Sequence, residues 1–360
     1  MKVLFAAGGT GGHLYPAIAI AEELRRIDPG TVIEFAGTKR KIEARVVPQK
    51  GYRFHPIWIS GFSRRLRWEN LIFPVKVVVS LLQSFLLIRK LRPAVVVGTG
   101  GYVCGPVLFA ASLSGIPTVV HESNSYPGVT TRMLAARVTK VFTTFEVTAQ
   151  WLASSARTEV VGNPTRAELS DAARSAGAAA FGLSPDKPTI FAFGGSLGAA
   201  SINSAMPAVV AAAIARGWQV LWQTGETDKQ AAATVPQHPD IKVMTYVDRM
   251  DLGYAAADLV VCRSGATTLA ELTRLGKPAI LVPYPFAAAN HQELNAEAMV
   301  KAGAAVMLKD ALLQKELTAA VERLMTDAAA RAAMAQRSLA LGRPDAGMVI
   351  AQRIRGLAVA

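Results

Sequence analysis

The sequence predicts an α/β protein built from two doubly wound, Rossmann-like domains. Short apolar runs rich in β-branched residues alternate with longer helical patterns, which is typical of parallel sheets covered by helices on both faces. This alternation occurs twice, and a glycine-rich loop directly follows three of the runs. The predicted strands are residues 3–6, 32–36, 95–98, 118–121 and 141–144 in the first half, and 189–193, 219–223, 241–244, 259–262 and 279–282 in the second.

The length of 360 residues and an apolar content of 51% suit two globular domains with a core each. Gly162-Asn163-Pro164 interrupts the alternation, which places the boundary between domains at this point. We therefore expect domains at residues 1–163 and 164–342. We expect a last helix, at about 343–360, to pack back on the first domain.

The cellular compartment is indicated by the cysteines and the N-terminus. The two cysteines, Cys104 and Cys262, lack metal-ligand spacing, which favours a reduced cytosolic chain. The apolar run at residues 3–7 is too short for a signal peptide and continues directly into a glycine loop.

The first glycine loop reads Gly-Gly-Thr-Gly-Gly-His and occupies residues 8–13, between a predicted strand and a helix with Pro16 in its first turn. Glycines allow a sharp turn and leave backbone N–H groups accessible beside the positive end of the helix. Such a loop is a seat for a phosphate or another anion. The alternative is a tight turn without a ligand.

Two further loops follow strands, at residues 98–102 and 194–199. None of the three loops fits the dinucleotide pattern G-x-G-x-x-G. In the first two, Leu14 and Val103 occupy the position of the third glycine. The second strand also ends without an acidic residue that could hold an adenosine ribose. The loops therefore predict phosphate binding and disfavour NAD.

The net charge of +13 is concentrated in the first half. Residues 1–163 carry 20 Lys+Arg and 9 Asp+Glu, a net +11, whereas residues 164–360 carry 19 and 17, a net +2. This asymmetry indicates that the first domain meets a polyanion, such as nucleic acid, anionic lipid or a phosphorylated substrate. Aromatic residues do not alternate with the basic ones, which argues against single-stranded nucleic acid.

Residues 71–88 are nearly all apolar and reach the lower length limit of a membrane span. Lys76 within the segment, and its place between two strands of one domain, favour a helix buried against the sheet. The flanks leave a peripheral-membrane role open, because an apolar surface ringed by basic and aromatic residues can lie at an anionic membrane. The flanking residues are Arg64, Arg65, Arg67, Trp68, Arg89, Lys90 and Arg92.

Chemistry in the second half centres on two strand-to-helix junctions. Residues 263–271 run from Arg263 through small residues to Glu271, which lies one turn into a helix and could accept hydrogen bonds from a sugar diol. Residues 290–295 place neutral hydrogen-bonding side chains at the next helix start, which suits a hydroxyl-rich group. Taken singly, Glu271 could be a solvated carboxylate, and His291 and Asn295 could be ordinary caps.

Taken together, these blocks resemble the lipid I N-acetylglucosaminyltransferases of bacterial peptidoglycan synthesis, the MurG family, which have the GT-B fold of two Rossmann-like domains facing across a cleft. The resemblance runs essentially from Met1 to the last helix. It rests on the blocks at 8–13, 98–102, 121–124, 162–164, 194–199, 263–271 and 291–295. The block at 121–124 reads His-Glu-Ser-Asn.

The resemblance implies an inverting transfer of GlcNAc from UDP-GlcNAc to the 4-hydroxyl of the muramic sugar on undecaprenyl diphosphate. Its partners would be UDP-GlcNAc, lipid I and an anionic membrane surface, with no nucleic acid, at the cytoplasmic face of the bacterial membrane. No cofactor is implied. The sequence also shows no Asp-x-Asp pair beside the site and no ligand cluster, so we expect no essential metal.

The resemblance also implies residue roles. Ser196 would hold the UDP diphosphate, Arg166 would lie near the uridine, and Glu271 would bind the ribose. Other donor contacts are Thr10, Gly11, Gly12, Asn124, His291 and Gln292. The first two glycine loops, with Thr10, His13, Gly9, Gly100, Gly101 and Tyr102, would face the acceptor diphosphate.

An inverting transfer needs a base for the acceptor hydroxyl, and His13 and Glu122 compete for this role. Histidine is suited to it, because an unperturbed pKa of about 6.5 leaves the imidazole mostly unprotonated near neutral pH. The chain departs from many family members at Ala289-Asn290, where acidic residues commonly precede the His-Gln pair. Two other classes stay open: another GT-B enzyme acting on a lipid or UDP-sugar, and a non-catalytic basic adaptor.

Overall fold

The computed structural model describes residues 1–61, 72–165, 169, 172–195 and 197–359. The chain divides into two compact units. Unit 1 comprises Met1–Arg166 and Pro344–Ala360, and unit 2 comprises Ala167–Arg343. The sequence-based prediction places the division at residues 163/164 and 342/343.

Unit 1 contains a seven-stranded sheet in which all paired strands are parallel. The strand order is β3-β2-β1-β4-β5-β6-β7. The strands are β1 (Lys2–Ala6), β2 (Val32–Gly37), β3 (Arg53–Pro56), β4 (Val95–Gly98), β5 (Thr118–Glu122), β6 (Lys140–Thr143) and β7 (Thr158–Val160). Its described helices are α1 (Gly11–Ile27), α2 (Glu43–Gln49), α3 (Phe73–Leu91), α4 (Cys104–Leu113), α5 (Val129–Leu134), the 3-10 helix Glu146–Trp151 and the C-terminal helix α13 (Ala346–Val359).

The C-terminal helix α13 belongs to the core of unit 1, although it follows the whole of unit 2 in the chain. Its apolar residues Ile350, Ala351 and Ile354 are fully buried and join the cluster that contains Val3, Phe5 and the apolar face of α1. Because these side chains have no solvent exposure, α13 is an integral layer of the first unit.

Unit 2 repeats the architecture with a six-stranded parallel sheet in the order β10-β9-β8-β11-β12-β13. The strands are β8 (Thr189–Phe193), β9 (Gln219–Gln223), β10 (Ile241–Met244), β11 (Leu259–Cys262), β12 (Ala279–Leu281) and β13 (Val306–Met307). The described helices are α6 (Arg174–Ala180), α7 (Ala200–Ala215), α8 (Met250–Ala256), α9 (Ala266–Arg274), α10 (His291–Lys301), α11 (Leu313–Thr326) and α12 (Ala328–Leu341), with 3-10 helices at Lys229–Thr234, Ala288–Asn290 and Asp310–Leu312.

The predicted strands are confirmed, and three further strands were missed. The missed strands β3, β7 and β13 are the edges of their sheets, so each pairs on one side only. An edge strand is only partly buried and needs no continuous apolar run, which is why Arg53-Phe54-His55-Pro56 was not predicted as a strand.

Helix α3 covers most of the apolar segment at residues 71–88, and its exposed face is the more apolar one. Its buried positions include Ser80 and Ser84, whose hydroxyls donate to carbonyls of the preceding turn. Val78 and Leu82 are 66% and 60% exposed. The prediction of a helix buried against the sheet is therefore correct for one face only. Among the described residues, no helix is both long and apolar enough to cross a membrane.

Candidate functional site

The strand order of unit 1 reverses direction between β1 and β4, which is where ligands bind in open α/β sheets. The loop after β1 turns through Gly9 at φ +95° and enters α1 at Gly11. The N–H groups of His13 and Leu14 donate to the Thr10 carbonyl. No hydrogen bond to a described residue occupies the N–H groups of Gly11 and Gly12, which stand at the positive end of α1 and can receive an anion.

The loop after β4 packs directly against the loop after β1. A Cβ atom at Gly101 would lie 2.1 Å from the Gly8 carbonyl oxygen, and one at Gly100 would lie 2.3 Å from His13 Nδ1. The Thr99 hydroxyl donates to the His13 carbonyl at 2.7 Å. Both loops therefore form one backbone-lined surface, and the His13 ring lies against the second loop.

Cys104 supports the second loop from below. Its Sγ accepts from the Gly100 N–H at 3.2 Å and donates to the Ala6 carbonyl at 2.9 Å. Burial raises the pKa of this thiol to about 12, so it stays protonated. A protonated, enclosed thiol is a hydrogen-bonding strut and not a nucleophile.

Glu122 ends β5 with both carboxylate oxygens occupied. Oε1 accepts from the backbone N–H and side-chain amide of Asn124, at 3.1 and 3.2 Å. Oε2 accepts from the Gly128 N–H at 2.9 Å and the Thr131 hydroxyl at 2.7 Å. The side chain is 5% exposed and organises the loop that presents Asn124.

His121 and Tyr102 lie in contrasting environments near these loops. His121 is buried, and the loss of solvent lowers the pKa of its imidazole, so the neutral form is favoured. Its Nε2 is 2.9 Å from the Gly162 carbonyl oxygen and therefore donates to it. Tyr102 is 57% exposed, and its ring occupies the space that a Cβ atom at Gly61 would need.

In unit 2 the strand order reverses between β8 and β11. The loop after β8 uses positive φ at Gly195 and Gly198, and Gln223 Nε2 donates to the Gly195 carbonyl at 2.9 Å. A Cβ atom at Gly225 would lie 2.1 Å from the Gly198 nitrogen, so the loop is fixed against its neighbour. Ser196 and Arg166, the predicted diphosphate and uridine contacts, lie outside the described residues.

Arg263 joins the ends of β11 and β12 to the start of α7. Its guanidinium donates to the carbonyls of Val282 and Pro283, to the carboxylate of Asp310 and, at 2.9 Å, to the Ser201 hydroxyl. The Arg263 side chain is 13% exposed. Its role in this structure is to fix the loops of unit 2 rather than to present a free charge.

Glu271 lies one turn into α9, as predicted, but it is 3% exposed. Its Oε2 accepts from the hydroxyl of the fully buried Tyr254 at 2.9 Å. The alternative that Glu271 is a solvated carboxylate is therefore excluded by its burial. The other carboxylate oxygen of Glu271, Oε1, is buried as well.

The start of α10 is tied to the loop after β11. The Ser264 hydroxyl donates to the Gln292 carbonyl at 2.8 Å, and Asn295 Nδ2 donates to the Ser264 carbonyl at 3.3 Å. The Gln292 side-chain oxygen accepts from the Tyr284 N–H at 3.0 Å, which leaves its amide NH₂ for a ligand. Asn295 is fully buried, so it fixes a loop and does not act as a simple cap.

His291 and the two residues before it have unusual geometry. His291 Nδ1 lies 2.7 Å from the Ala288 carbonyl oxygen and must donate to it, which turns Nε2 outward. Ala289 and Asn290 both have left-handed backbones, at φ +52° and +55°. Consecutive non-glycine residues in this region are strained, and such strain concentrates at functional sites.

The family models match both units. The glycosyltransferase family 28 N-terminal domain matches residues 3–143, and the C-terminal domain of the same family matches residues 189–348. Relatives named UDP-N-acetylglucosamine–N-acetylmuramyl-(pentapeptide) pyrophosphoryl-undecaprenol N-acetylglucosamine transferase match along the whole chain. The one from Prosthecochloris aestuarii is 42% identical over 99% of both chains, and the one from Salinibacter ruber is 43% identical over 99% of this chain and 96% of its own.

The chain belongs to the MurG family. A solved structure of Acinetobacter baumannii MurG superposes on it with a TM-score of 0.79 and 26% identity, covering 99% of each chain. This similarity and the two parallel sheets confirm the predicted fold class, the GT-B glycosyltransferase architecture. The chain is therefore a family 28 glycosyltransferase.

For this MurG-family member, sequence reasoning missed two carboxylates that hold the loops, the buried Glu43 and the partly buried Asp310. Asp310 pairs with Arg263, and Glu43 accepts hydrogen bonds from the first glycine loop. Neither belongs to a recognisable motif, and each meets its partner across at least 34 residues of chain. Among the described residues, no group of three or more His, Cys, Asp or Glu side chains could hold a metal ion.

Proposed function

We propose that this MurG-family chain transfers GlcNAc from UDP-GlcNAc to the 4-hydroxyl of the muramic sugar on undecaprenyl-diphosphate-linked MurNAc-pentapeptide. The products are lipid II and UDP, and the new linkage is β. The observation that carries the proposal is the 42% identity, over 99% of both chains, to a relative named for the corresponding transfer. The glycine loops after β1, β4 and β8 lie where the strand order reverses, which is where ligands bind in open α/β sheets.

Unit 1 is proposed to bind the acceptor. The N–H groups of Gly11 and Gly12 and the positive end of α1 suit its diphosphate, with Gly9, Gly100, Gly101 and Tyr102 around them. The net charge of +11 over residues 1–163 adds a long-range attraction for the anionic acceptor. Thr10 and Asn124 are proposed to contact the donor sugar. Gly11 and Gly12, which the resemblance implies as donor contacts, are proposed here for the acceptor diphosphate instead, because their N–H groups stand at the positive end of α1.

His13 is proposed as the general base. It would accept the proton of the acceptor 4-hydroxyl while that oxygen bonds to the anomeric carbon and the bond from carbon to UDP breaks. Glu122 is the poorer candidate, because its two oxygens already accept four hydrogen bonds that hold the loop at Asn124. A proton transferred to Glu122 would disrupt this network.

Unit 2 is proposed to bind UDP-GlcNAc. Glu271 would bind the ribose hydroxyls, and the outward faces of His291 and Gln292 would contact the GlcNAc. Ser196 and Arg166 are proposed for the diphosphate and the uridine. Departure of UDP from the anomeric carbon would be favoured by the backbone N–H groups at helix starts, which stabilise the negative charge that develops on the diphosphate.

We also propose that the exposed face of α3 contacts the cytoplasmic face of the cell membrane. This face presents Val75, Val78, Leu82 and Leu86, whereas Lys76 turns inward and donates to the Ser60 hydroxyl at 3.0 Å. An open cavity of about 570 Å³ at the end of α3 is lined by apolar side chains and by Arg89 and Arg92. The flanking residues Arg64, Arg65, Arg67 and Trp68 lie outside the described residues.

A transfer assay with radiolabelled UDP-GlcNAc and a short-chain lipid I analogue tests the function. Incorporation of label into the lipid fraction, with one UDP released per sugar transferred, is the expected result. Parallel reactions with other lipid acceptors, and with UDP-GlcNAc alone, test the alternative of another GT-B enzyme acting on a lipid or UDP-sugar. Transfer of label to another lipid acceptor, or conversion of UDP-GlcNAc alone, without transfer to the lipid I analogue would refute the proposed acceptor.

A further inference from the structure

A fully buried carboxylate, Glu43, lies directly beneath the first glycine loop. Its Oε2 accepts from the Gly9 N–H at 3.1 Å. Its Oε1 accepts from the Thr38 N–H at 2.9 Å and from the Thr38 hydroxyl at 2.6 Å. Glu43 is the first residue of α2, and it links the loop after β1 to the loop after β2.

The space for this carboxylate depends on two glycines. A Cβ atom at Gly8 would lie 2.4 Å from Glu43 Oε1, and one at Gly37 would lie 2.6 Å from Glu43 Cγ. Contacts this short cannot exist in a folded chain without displacement. The absence of a Cβ at Gly8, in the loop after β1, and at Gly37, the last residue of β2, therefore leaves the space that the Glu43 side chain occupies.

Glu43 also decides which N–H groups of the loop face a ligand. The Gly9 N–H points at Glu43, so it is directed away from an anion bound at the start of α1. The second glycine loop covers the opposite side of the first loop. Gly101 packs so closely against the Gly8 carbonyl that a side chain at this position would clash with it. The loop is thus held between Glu43 on one side and Gly101 on the other.

We propose that Glu43 is a positioning residue for the acceptor diphosphate. By accepting the Gly9 N–H it fixes the left-handed turn at Gly9 and so aims the N–H groups of Gly11 and Gly12. The inference rests on the proposed function for the identity of the anion. It concerns a side chain that does not itself touch the acceptor.

The substitution Glu43→Gln isolates this role because it preserves size and removes one acceptor. The amide has a single carbonyl oxygen, so its NH₂ group must face either the Gly9 N–H or the Thr38 N–H, donor against donor. One buried N–H is then left without an acceptor, and the loop turn loses its anchor. We expect the KM for the lipid I analogue to rise about tenfold or more, with the KM for UDP-GlcNAc changed less than about twofold.

One control variant and one milder variant accompany Glu43→Gln. Glu34→Gln changes a second buried carboxyl of unit 1, which pairs with His55 and makes no described contact with the glycine loop, so it reports general loss of stability. Thr38→Val removes the hydroxyl bond to Glu43 but keeps the Gly9 contact, and it should raise the acceptor KM by a smaller factor of about two to five. If Glu43→Gln does not fold, Thr38→Val decides, and an unchanged acceptor KM in it refutes the inference.

The second readout is calorimetric binding of inorganic pyrophosphate in saturating UDP, which occupies the proposed nucleotide site. The affinity should fall in Glu43→Gln and persist in Glu34→Gln. Unchanged pyrophosphate affinity and acceptor KM in Glu43→Gln, or equal rises in the KM of both substrates, would overturn the inference. If the wild-type chain binds pyrophosphate without transferring sugar to the lipid I analogue, the proposed function fails. The comparison of pyrophosphate affinities then still tests the role of Glu43.

Discussion

The contact between Glu271 and Tyr254 makes the proposed ribose interaction testable without disturbing the core. Glu271→Ala would leave the Tyr254 hydroxyl buried without its acceptor, which costs about 1–3 kcal/mol of the free energy of unfolding. Glu271→Gln avoids this cost, because its carbonyl oxygen can still accept from Tyr254. What the amide cannot supply is the charged second oxygen that a ribose diol would use.

The expected loss in Glu271→Gln follows from that one difference. A hydrogen bond to a charged group contributes about 1.5–3 kcal/mol, which corresponds to a roughly 10- to 100-fold weaker affinity. We therefore expect the KM for UDP-GlcNAc and the dissociation constant for UDP to rise by this factor, with the melting temperature nearly unchanged. Calorimetry with UDP measures the second quantity without the acceptor.

The matched control is Tyr254→Phe, which removes the hydroxyl but not the carboxylate. It should lower the free energy of unfolding by about 1 kcal/mol and leave the affinity for UDP within about twofold. If Glu271→Gln binds UDP as tightly as the wild-type chain, Glu271 is a structural carboxylate of the α8–α9 contact and the ribose assignment fails.

Three further predictions concern other parts of the molecule. His13→Ala should lower turnover about 100-fold or more with UDP-GlcNAc affinity intact, since general-base catalysis typically contributes 10²–10⁴, whereas a loss below about tenfold would exclude the base role. Co-sedimentation with vesicles should require anionic lipid, weaken at high salt, and fall further in Leu82→Ser; equal binding to neutral vesicles would contradict the membrane proposal. Ala289→Gly should leave the free energy of unfolding unchanged or raise it by about 1 kcal/mol, because relief of the left-handed strain offsets the backbone entropy that a glycine adds to the unfolded chain. The control Ala287→Gly changes a residue with an ordinary φ and should lower the free energy of unfolding by about 0.5–1 kcal/mol.

The central strands could be predicted because a parallel strand with both faces covered needs an uninterrupted apolar run. Helix α3 shows the limit of the same signal. The polar residues Lys76, Ser80, Gln83 and Ser84 form one stripe along α3, which periodicity alone would assign to the solvent side, yet Ser80 and Ser84 are buried. In the structure this stripe faces the protein: Lys76 Nζ donates to the Ser60 hydroxyl, and Gln83 Oε1 accepts from the Trp58 N–H.

The site could be predicted as far as its local motifs extend. Glycine loops and the position of Glu271 on α9 follow from residues adjacent in the chain. The contacts that fix those groups are long-range: Tyr254 reaches Glu271 across 17 residues and Glu43 reaches Gly9 across 34. A single sequence contains no local signal for such pairs, so they emerge only when the sheet order brings the elements together.

The two units hold corresponding glycine loops by opposite hydrogen-bond chemistry. Each loop follows the strand at the switch point, and each is anchored from the side of the neighbouring strand, β2 in unit 1 and β9 in unit 2. In unit 1 the anchor Glu43 accepts an N–H of the loop, whereas in unit 2 the anchor Gln223 donates to a carbonyl of the loop. Because Glu43 accepts the Gly9 N–H, that N–H group cannot bind an anion, whereas the bond from Gln223 to the Gly195 carbonyl leaves every N–H group of its loop as it was. In the proposed acceptor site, more of the attraction for an anion would therefore come from the end of α1 and from the basic side chains of residues 1–163, where the net charge of the chain is concentrated.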